Sequence, residues 1–327
     1  MEKVVVLHNL VPADAPEDEK DNLVEAEAVS QALSELGYEP IKLPFGLNLE
    51  QTTGKLKEHS PPFVFNLVES VDGQLRLSHL APSLLDHLKI RYTGNSTEAT
   101  LNTCGKLGSK KMLRLAGLPT APWMTLEEVL TGKTTFEPLY IIKSVWEHAS
   151  VGLDEDSVIF DKEKLRPEVE KRRNMAGGLF VEAYIPGREF NISVFAERYK
   201  PKVLPIAEMI FHNYPKDKPN VIGYTAKWKE NSFEYQHTQR TFDIPRSNQD
   251  LVAQLSSLSL HCWELFELNG YARVDFRVDE RGQPWILEVN TNPGIAPDAG
   301  FTAAAKQYGL DYKQMVERIT HNLVIPK

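Results

Sequence analysis

Two runs of strand-forming residues, 271–278 and 284–290, flank the turn-forming sequence Asp-Glu-Arg-Gly. Such a pattern predicts a β-hairpin. Because the side chains of a strand point alternately to its two faces, we expect one face of this hairpin to gather four polar side chains. They are Arg273, Asp275, Glu288 and Asn290. The opposite face is apolar and is predicted to pack in the core, with second-strand members Trp285, Leu287 and Val289.

The four polar side chains suit a metal ion and a phosphate group. The oxygens of Asp275, Glu288 and Asn290 are hard ligands of the kind that Mg²⁺ prefers. Arg273 beside them suits a phosphoryl group that the metal also contacts. The alternative is a solvated polar face, with Arg273 and Asp275 as a surface ion pair. The irregular loop 290–294 favours function, because binding residues concentrate where strands enter loops.

Strands and helices alternate along the first part of the chain. Apolar periodicity and turn residues predict strands at 3–8, 38–43, 62–67 and 90–94. Helices are predicted at 23–36 and 80–88. This alternation indicates an open α/β layer that ends near residue 95.

The rest of the chain mixes strands with single helices. A helix is predicted over 97–117, broken near Gly105 and Gly108. Further strands are predicted at 140–143, 158–160, 180–184, 189–195 and 203–210, in addition to the hairpin. Further helices are predicted at 162–175, 250–269 and 310–323.

Composition bounds the class of protein. With 327 residues, two or three domains of about 150 residues or fewer are expected. The net charge of −8 argues against nucleic acid or an anionic membrane as the main partner. Two distant cysteines, Cys104 and Cys262, provide neither a disulfide framework nor a zinc site, and no apolar run is long enough for a signal peptide or membrane span. A cytoplasmic protein is expected.

Two common nucleotide-binding motifs are missing. No G-x-x-x-x-G-K-[ST] sequence occurs, which argues against a P-loop enzyme. No G-x-G-x-x-G follows the first strand, which argues against a dinucleotide-dependent dehydrogenase.

The hairpin resembles the C-terminal signature of the ATP-grasp ligases, most closely that of the D-alanine–D-alanine ligase family. Four further blocks resemble that family in the same order: 92–122, 142–152, 180–190 and 224–228. The resemblance implies an α/β (α+β) chain with the ATP-grasp fold. It implies an N-terminal open α/β substrate domain (1–96), a small lid domain (97–185) and a C-terminal catalytic α+β domain (186–327).

The resemblance also implies an ATP site. Lys143 and Lys106 correspond to lysines that clamp the triphosphate, although Lys106 fits a solvated helix equally well. Glu182 and Glu189 correspond to acceptors for the adenine amine and the ribose hydroxyls, the alternative being exposed strand glutamates. The hinge around Tyr184 and Ile185 and the side chain of Leu287 complete the implied ATP-binding set.

Metal and catalytic roles follow from the same resemblance. Asp275, Glu288 and Asn290 are implied to hold two Mg²⁺ ions, with Mn²⁺ as a possible substitute. Arg273 corresponds to the arginine that stabilises the transferring phosphoryl group. Lys227 corresponds to a mobile-loop lysine that reaches the γ-phosphate, with a surface lysine as the equal alternative.

The substrate half departs from the family pattern. Acids of the segment 14–21 replace a Gly-Gly loop, and which of them contacts a substrate ammonium stays open. Glu69 and Asp72 are further candidates for facing the substrate. The family has a Glu–Ser–Tyr network; here His148 and Ala149 replace a Gly-Ser pair, so that Ser150 is the remaining candidate serine, and Trp228 replaces the tyrosine.

The final loop departs as well. Gly294 and Asp298 are candidate substrate residues there, and Ala299 stands where the family has a hydroxyl. An acid at 298 would repel a carboxylate, which favours an amine, amide or basic acceptor.

We therefore expect an ATP-dependent carboxylate–amine ligase that works through an acylphosphate, with small amino acid or amine substrates other than two D-alanines. The alternatives are another ATP-grasp enzyme, such as a carboxylase or phosphotransferase, and a nucleotide-binding sensor without catalysis. The family resemblance also implies a homodimer.

Overall fold

The computed structural model describes residues 1–147, 150, 152–175, 177–198 and 200–326. These residues form three β-sheets with helices packed against them. The strands are β1 Glu2–Asn9, β2 Tyr38–Phe45, β3 Val64–Asn66, β4 Trp123–Thr125, β5 Tyr140–Ser144, β6 Val158–Ile159, β7 Leu179–Ala183, β8 Arg188–Glu197, β9 Lys200–Val203, β10 Ala207–Phe211, β11 Thr238–Thr241, β12 Tyr271–Val278 and β13 Pro284–Asn290. The α-helices are α1 Glu17–Glu35, α2 Leu49–His59, α3 Leu80–Leu88, α4 Thr97–Cys104, α5 Lys106–Leu115, α6 Leu126–Leu130, α7 Lys162–Lys171, α8 Tyr224–Trp228, α9 Phe233–His237, α10 Gln249–Leu265, α11 Gly300–Gln307 and α12 Tyr312–Thr320.

The first sheet has the order β2-β1-β3, and both of its pairs are parallel. The apolar run of β1 is buried on both faces, as expected for a central parallel strand. The predicted strand 90–94 is wrong: Tyr92 makes only single bridges, to Val64 and Val324, before the chain turns at Gly94 with φ +92°. The sequence interpretation also missed α2, whose apolar stripe is short.

The second sheet has the order β4-β7-β5-β6 and is antiparallel. It packs against α6 and α7, with Ile142, Val169 and Val181 in the shared core. Helix α7 ends at Lys171, earlier than the predicted 175.

The third sheet has the order β11-β10-β8-β12-β13, with β9 paired to β8. The predicted single strand 203–210 is wrong, because it divides into the end of β9 and most of β10. Pro205 lies between the two and has no N–H to donate, so the chain leaves the edge of β8 and returns further along it.

The predicted helix 97–117 breaks at Gly105 and not at Gly108, which lies inside α5. A Cβ atom at Gly105 would lie 2.7 Å from the ring of Trp146, so this position needs a glycine. Ala99 of α4 and Leu113 of α5 pack in the core of the third sheet rather than the second. Each sheet lies within one of the ranges 1–96, 97–185 and 186–327, which remain our proposal for the domains.

The β12–β13 hairpin contains a β-bulge that corrects the simple alternation. Asp275 pairs with Glu288, but the next residue, Phe276, pairs with Ile286, so Leu287 is the extra residue. The prediction that Leu287 faces the core is wrong. Ile286 is fully buried in the core instead, and Leu287 turns to the cavity described below.

No helix among the described residues is long and apolar enough to cross a membrane.

Candidate active site

A cavity of about 580 Å³ is lined by residues of the second and third sheets, of helices that include α1, α5 and α8, and of the loops between these elements. Of the predicted site residues, all in the described part of the chain, Asp72 alone does not line it. Asp72 is exposed and has φ +53°, in a turn that carries it away from the cavity. The cavity therefore collects the rest of the predicted set from distant parts of the sequence.

Glu182 lies between two lysines at one end of this cavity. Its carboxylate accepts hydrogen bonds from Lys110 and, at 2.5 Å, from Lys143, and it is only 1% exposed. Burial alone would raise the pKa of Glu182, but the two lysines together hold it below its usual value. The alternative of an exposed strand glutamate is therefore wrong for Glu182, and both of its carboxylate oxygens are already bonded to lysines.

Lys110 is a site residue that sequence reasoning missed. It is 1% exposed, bonds Thr120 Oγ1 at 2.6 Å and lies 5.3 Å from the centre of the Trp123 ring. Burial lowers its pKa, while Glu182 opposes that shift. Because Lys106, Lys110 and Lys111 follow one another closely in this stretch, the sequence contained no signal that singled out Lys110.

Lys106 is not a solvated helix residue. Its Nζ donates to the carbonyl of Glu147 and lies 3.5 Å from Glu288 Oε2. Burial lowers its pKa, and Glu288 opposes the shift. Lys106 and Lys143 thus present two cations to the cavity from separate elements, α5 and β5, as a clamp for phosphate groups requires.

The hinge between β7 and β8 is fixed by Arg277, a second missed residue. Its guanidinium donates to the carbonyl of Ile185 at 3.0 Å, to Glu189 Oε2 at 3.1 Å and to the hydroxyl of Tyr184 at 3.3 Å. Arg277 continues the alternation of Arg273 and Asp275 along β12, which could have identified it. Burial raises the pKa of Glu189, and Arg277 opposes that shift.

The four polar residues of the hairpin do meet on one face. Arg273 bonds Asp275 through two hydrogen bonds, both of 2.8 Å. The Asn290 amide lies 3.2 Å from Asp275 Oδ2 and 3.4 Å from Glu288 Oε1. Burial opposes the charge of Arg273, but Asp275 more than offsets it, and the pKa of Arg273 is raised.

The group formed by Asp275, Glu288 and Asn290 fits a Mg²⁺ ion that also binds substrate phosphates. It fits less well a metal ion whose ligands all come from the protein. Among the described residues, no three His, Cys, Asp or Glu side chains gather into a metal-binding group. Two carboxylates and one amide do gather, and Mg²⁺ commonly takes one or two carboxylates and completes its shell with substrate phosphates and water. The lysine clamp would hold those phosphates nearby.

Lys227 and Ser150 also line the cavity, the first from α8 and the second from the turn at residue 150. Lys227, on α8, faces Arg273, Glu288 and Asp275, so it is not a surface lysine, and burial lowers its pKa. Ser150 has φ +64° and its hydroxyl donates to the carbonyl of Ile222 at 2.7 Å. The substitutions at His148 and Ala149 lie outside the described residues.

The far end of the cavity is rich in carboxylates. The side chains there are Asp18, Asp21, Glu69 and Asp298, beside Gly294. Burial and then Asp21 raise the pKa of Glu69 to about 7, against the opposing effect of Arg273. Burial and Asp298 also raise the pKa of Asp21.

A third missed residue, Arg240 of β11, lies at the same end. Its guanidinium packs over Gly300, where an added Cβ would lie 3.3 Å from Nη2. Burial and Arg273 lower its pKa, while Asp298 opposes the shift. Arg240 therefore supplies a cation that partly balances the four acids.

Known proteins are similar to this chain over most of its length. The chain is 29% identical over 315 residues to a D-alanine–D-alanine ligase of Moorella thermoacetica, covering 93% of this chain and 95% of that protein. It is 29% identical to the corresponding ligase of Aquifex aeolicus over 301 residues, covering 91% and 94%.

Solved structures agree on the fold. The D-alanine–D-alanine ligase of Bacillus anthracis complexed with ATP superposes with a TM-score of 0.73 at 21% identity, covering 98% of this chain and 97% of that one. The VanG D-Ala:D-Ser ligase of Enterococcus faecalis gives 0.73 at 16% identity, covering 98% of both chains.

The fold and the site define an ATP-grasp ligase, as the hairpin signature predicted. The family model for the D-Ala–D-Ala ligase C-terminus matches residues 112–321, nearly two-thirds of the chain. The chain belongs to the D-alanine–D-alanine ligase family and is an ATP-dependent enzyme that forms peptide or amide bonds.

Proposed function

We propose that this ligase joins a carboxylate to an amine through an acylphosphate, and that its substrates are not two D-alanines. The donor carboxylate attacks the γ-phosphate of ATP, giving an acylphosphate and ADP. The acceptor amine then attacks the acyl carbon, the amide bond forms and phosphate leaves. Activation is needed because a free carboxylate is a poor electrophile.

The residues of the cavity support this sequence of steps. We assign Lys106 and Lys143 to the phosphates of ATP, with Glu182 holding Lys143 in place. We assign the hinge of Tyr184 and Ile185 to adenine and Glu189 to the ribose, with Leu287 packing near the nucleotide. Arg273 and Lys227 would face the phosphoryl group during its transfer, where fixed cations stabilise the charge that develops in the transition state.

Magnesium belongs to this proposal. Asp275, Glu288 and Asn290 would hold it, as two ions, and Mn²⁺ would substitute. When bound, the metal neutralises phosphate charge that the side chains alone would leave exposed. A non-catalytic sensor would not need Arg273 in this position, and none of the described residues on the cavity wall favours a carboxylase.

The substrate end carries the choice of substrates. Asp298 and Ala299 both line that end, where a hydroxyl in place of Ala299 would help to bind an acceptor carboxylate. Asp18, Asp21 and Glu69 add negative charge around the same space. Carboxylates attract an ammonium and repel a carboxylate, which supports an acceptor that is an amine, an amide or a basic amino acid. The positive charge of Arg240 would still allow one substrate carboxylate to bind at this end.

A screen of amino acids and amines with ATP and Mg²⁺ tests the proposal. Phosphate release identifies active pairs, and product mass identifies the new bond. We expect turnover with a cationic acceptor and little with D-alanine alone; normal turnover of D-alanine alone would refute the substrate assignment. Asp275→Asn and Arg273→Ala should each abolish turnover while leaving the circular dichroism spectrum unchanged.

A homodimer, a cytoplasmic location and the absence of nucleic-acid or membrane partners stay predictions.

A further inference from the structure

Two side chains of β8 face the cavity opposite two side chains of β12. In the antiparallel register Glu189 lies opposite Arg277, and Asn191 lies opposite Asp275. Directly opposite side chains on one face of a sheet are close enough to bond, and both pairs line the cavity. The Asn191 amide donates to Asp275 Oδ1 at 2.8 Å, and Arg277 Nη1 donates to Glu189 Oε2 at 3.1 Å. Residues of β12 therefore set the direction in which these β8 side chains extend.

The pair formed by Arg277 and Glu189 is buried. Their side chains are only 5% and 13% exposed, so each charge depends on the other for its stability. Arg277 bonds Oε2 of the carboxylate, and no described residue donates a hydrogen bond to Oε1. An ionised carboxylate accepts hydrogen bonds at both of its oxygens. Oε1 is therefore available to accept a bond from a hydroxyl group of a ligand in the cavity.

Arg277 holds the hinge as well as the glutamate. Its Nε donates to the carbonyl of Ile185 at 3.0 Å, and its Nη2 donates to the hydroxyl of Tyr184 at 3.3 Å. The guanidinium is planar and rigid, so the directions of its N–H groups are fixed relative to one another. A single side chain thus fixes Glu189 relative to the two hinge residues that we assign to adenine.

The backbone of the hinge passes directly over the end of β12. Gly187 has φ +131°, and a Cβ atom there would lie 2.1 Å from the carbonyl oxygen of Val278. Only a glycine allows this close approach. Because Val278 follows Arg277 in the chain, the close approach keeps the hinge within reach of the guanidinium.

We propose that Arg277 is a positioning residue that directs Glu189 Oε1 toward a ribose hydroxyl, and that the enzyme thereby selects ribonucleotides over deoxyribonucleotides. This inference rests on the proposed function, which assigns Glu189 to the ribose of ATP. Without Arg277, the carboxylate of Glu189 loses its hydrogen-bonded cation and its fixed direction. The ribose hydroxyl then contributes little to binding, because the strength of a hydrogen bond depends steeply on its geometry.

Binding of ADP and of its 2′-deoxy and 3′-deoxy analogues tests the proposal without turnover. Isothermal titration calorimetry uses the full-length protein with Mg²⁺. The wild-type protein should bind at least one analogue about tenfold more weakly than ADP, because a hydrogen bond to a charged group is lost. In Arg277→Met, which removes the donors, this ratio should fall to about threefold or less, because the acceptor is no longer held in place. A ratio that stays above this value would overturn the positioning role.

Arg277→Lys separates direction from charge. The lysine keeps a cation beside the buried Glu189, so this variant should stay folded, as measured by far-UV circular dichroism. An ammonium group cannot make the three directed bonds of a guanidinium, so the ratio should again fall to about threefold or less. A wild-type ratio in the folded lysine variant would show that charge alone is sufficient and that Arg277 does not act by positioning.

A second arginine of the same region gives a matched control. Arg188 precedes Glu189 on β8 and forms its own pair with Glu208, through bonds of 2.6 and 2.7 Å, but it does not belong to the cavity wall. Arg188→Met should therefore keep the wild-type ratio. An equal fall in Arg188→Met and Arg277→Met would show that the loss of any arginine–glutamate pair on β8 has this effect, and would contradict the inference.

The calorimetry also distinguishes this inference from the proposed function. If the wild-type protein binds ADP and both analogues equally, Glu189 does not bind the ribose, and the assignment on which the inference rests is wrong. If the wild-type protein prefers ADP and Arg277→Met keeps that preference, the ribose assignment stands and only the role of Arg277 is wrong. Glu189→Gln should lower the ratio in the wild-type protein and should lower it no further in Arg277→Met; a further fall would show that the two residues act independently.

Discussion

The carboxylate of Glu182 is shared by two lysines of unequal exposure. Lys110 is buried, whereas Lys143 reaches the cavity and is 14% exposed. One of the two charges is needed to keep Glu182 ionised in an apolar interior. The other is then available to attract phosphate, so we propose that Lys110 would act on ATP through Glu182 and Lys143.

Replacing Lys110 tests this division of charge. Lys110→Met should lower the free energy of unfolding by about 3 kcal/mol, because it removes one partner of a buried ion pair. It should also raise the KM for ATP, because Lys143 must then neutralise Glu182 alone. Denaturant titration and initial rates measure the two effects.

Lys111 provides the control, since it is the next residue and is exposed. Lys111→Met should change stability by no more than about 0.5 kcal/mol. Equal losses for the two variants would show that Lys110 has no special role.

The raised pKa of Glu69 predicts that the stability of the folded protein depends on pH. Its pKa is about 7 in the folded protein, above its usual 4.5, chiefly because of burial. Between these values the folded state binds more protons than the unfolded state, so its contribution to stability falls as the pH rises from about 4.5 to 7. In Glu69→Gln this decline should be shallower. Thermal melts from pH 4.5 to 8 measure it; parallel curves for the two proteins would contradict the shift.

At the scale of elements, the bulge in the β12–β13 hairpin reverses which of two neighbouring side chains, Ile286 or Leu287, faces the core. Strict alternation assigns Leu287 to the core, yet the extra residue places Ile286 there and turns Leu287 to the cavity. Alternation is a local property of an ideal strand, and a bulge depends on how the neighbouring strand pairs. The sequence alone therefore predicted the hairpin and its polar face, but not this reversal.

Two alanine variants distinguish the neighbours. Ile286→Ala should cost about 2–5 kcal/mol of unfolding free energy, because it leaves a cavity in the core. Leu287→Ala should cost less and should weaken ATP binding, measured by calorimetry. A larger loss of stability in Leu287→Ala than in Ile286→Ala would instead support strict alternation along the strand.

The same contrast between local sequence pattern and contacts with distant residues explains which other features the sequence could predict. The hairpin face, the parallel β1 and the presence of Lys106 and Lys143 in the cavity were predictable because each depends on short-range pattern or on a family resemblance. Lys110 and Arg240 were missed because their roles depend on partners that lie 72 and about 60 residues away, which no local pattern records. Arg277 was missed although the alternation along β12 could have identified it, and its partner Ile185 lies 92 residues away.

At the scale of the whole molecule, Asn95 joins the first sheet region to the hairpin. Its amide donates to the carbonyl of Tyr271 at 2.8 Å and to that of Thr291 at 2.6 Å, and its oxygen accepts from the amide of Asn269 at 2.7 Å. The two bonds to carbonyls are buried and the third is partly buried, so their loss would leave backbone groups without partners.

Asn95→Ala should therefore lower the free energy of unfolding by about 3 kcal/mol. We expect the loss to shift the unfolding of the whole molecule, so that tryptophan fluorescence and far-UV circular dichroism move together. Asn231→Ala, at an exposed position, is the control. A shift in one probe alone would show that the two regions unfold independently.

The core that surrounds α1 contains residues from both ends of the chain. Val6 and Leu33 pack in one cluster with Phe301 and Val316. During synthesis the ribosome releases β1 and α1 long before α11 and α12 exist, so their apolar faces stay exposed in the nascent chain. A chaperone that binds such surfaces would have to protect this first region until translation is complete.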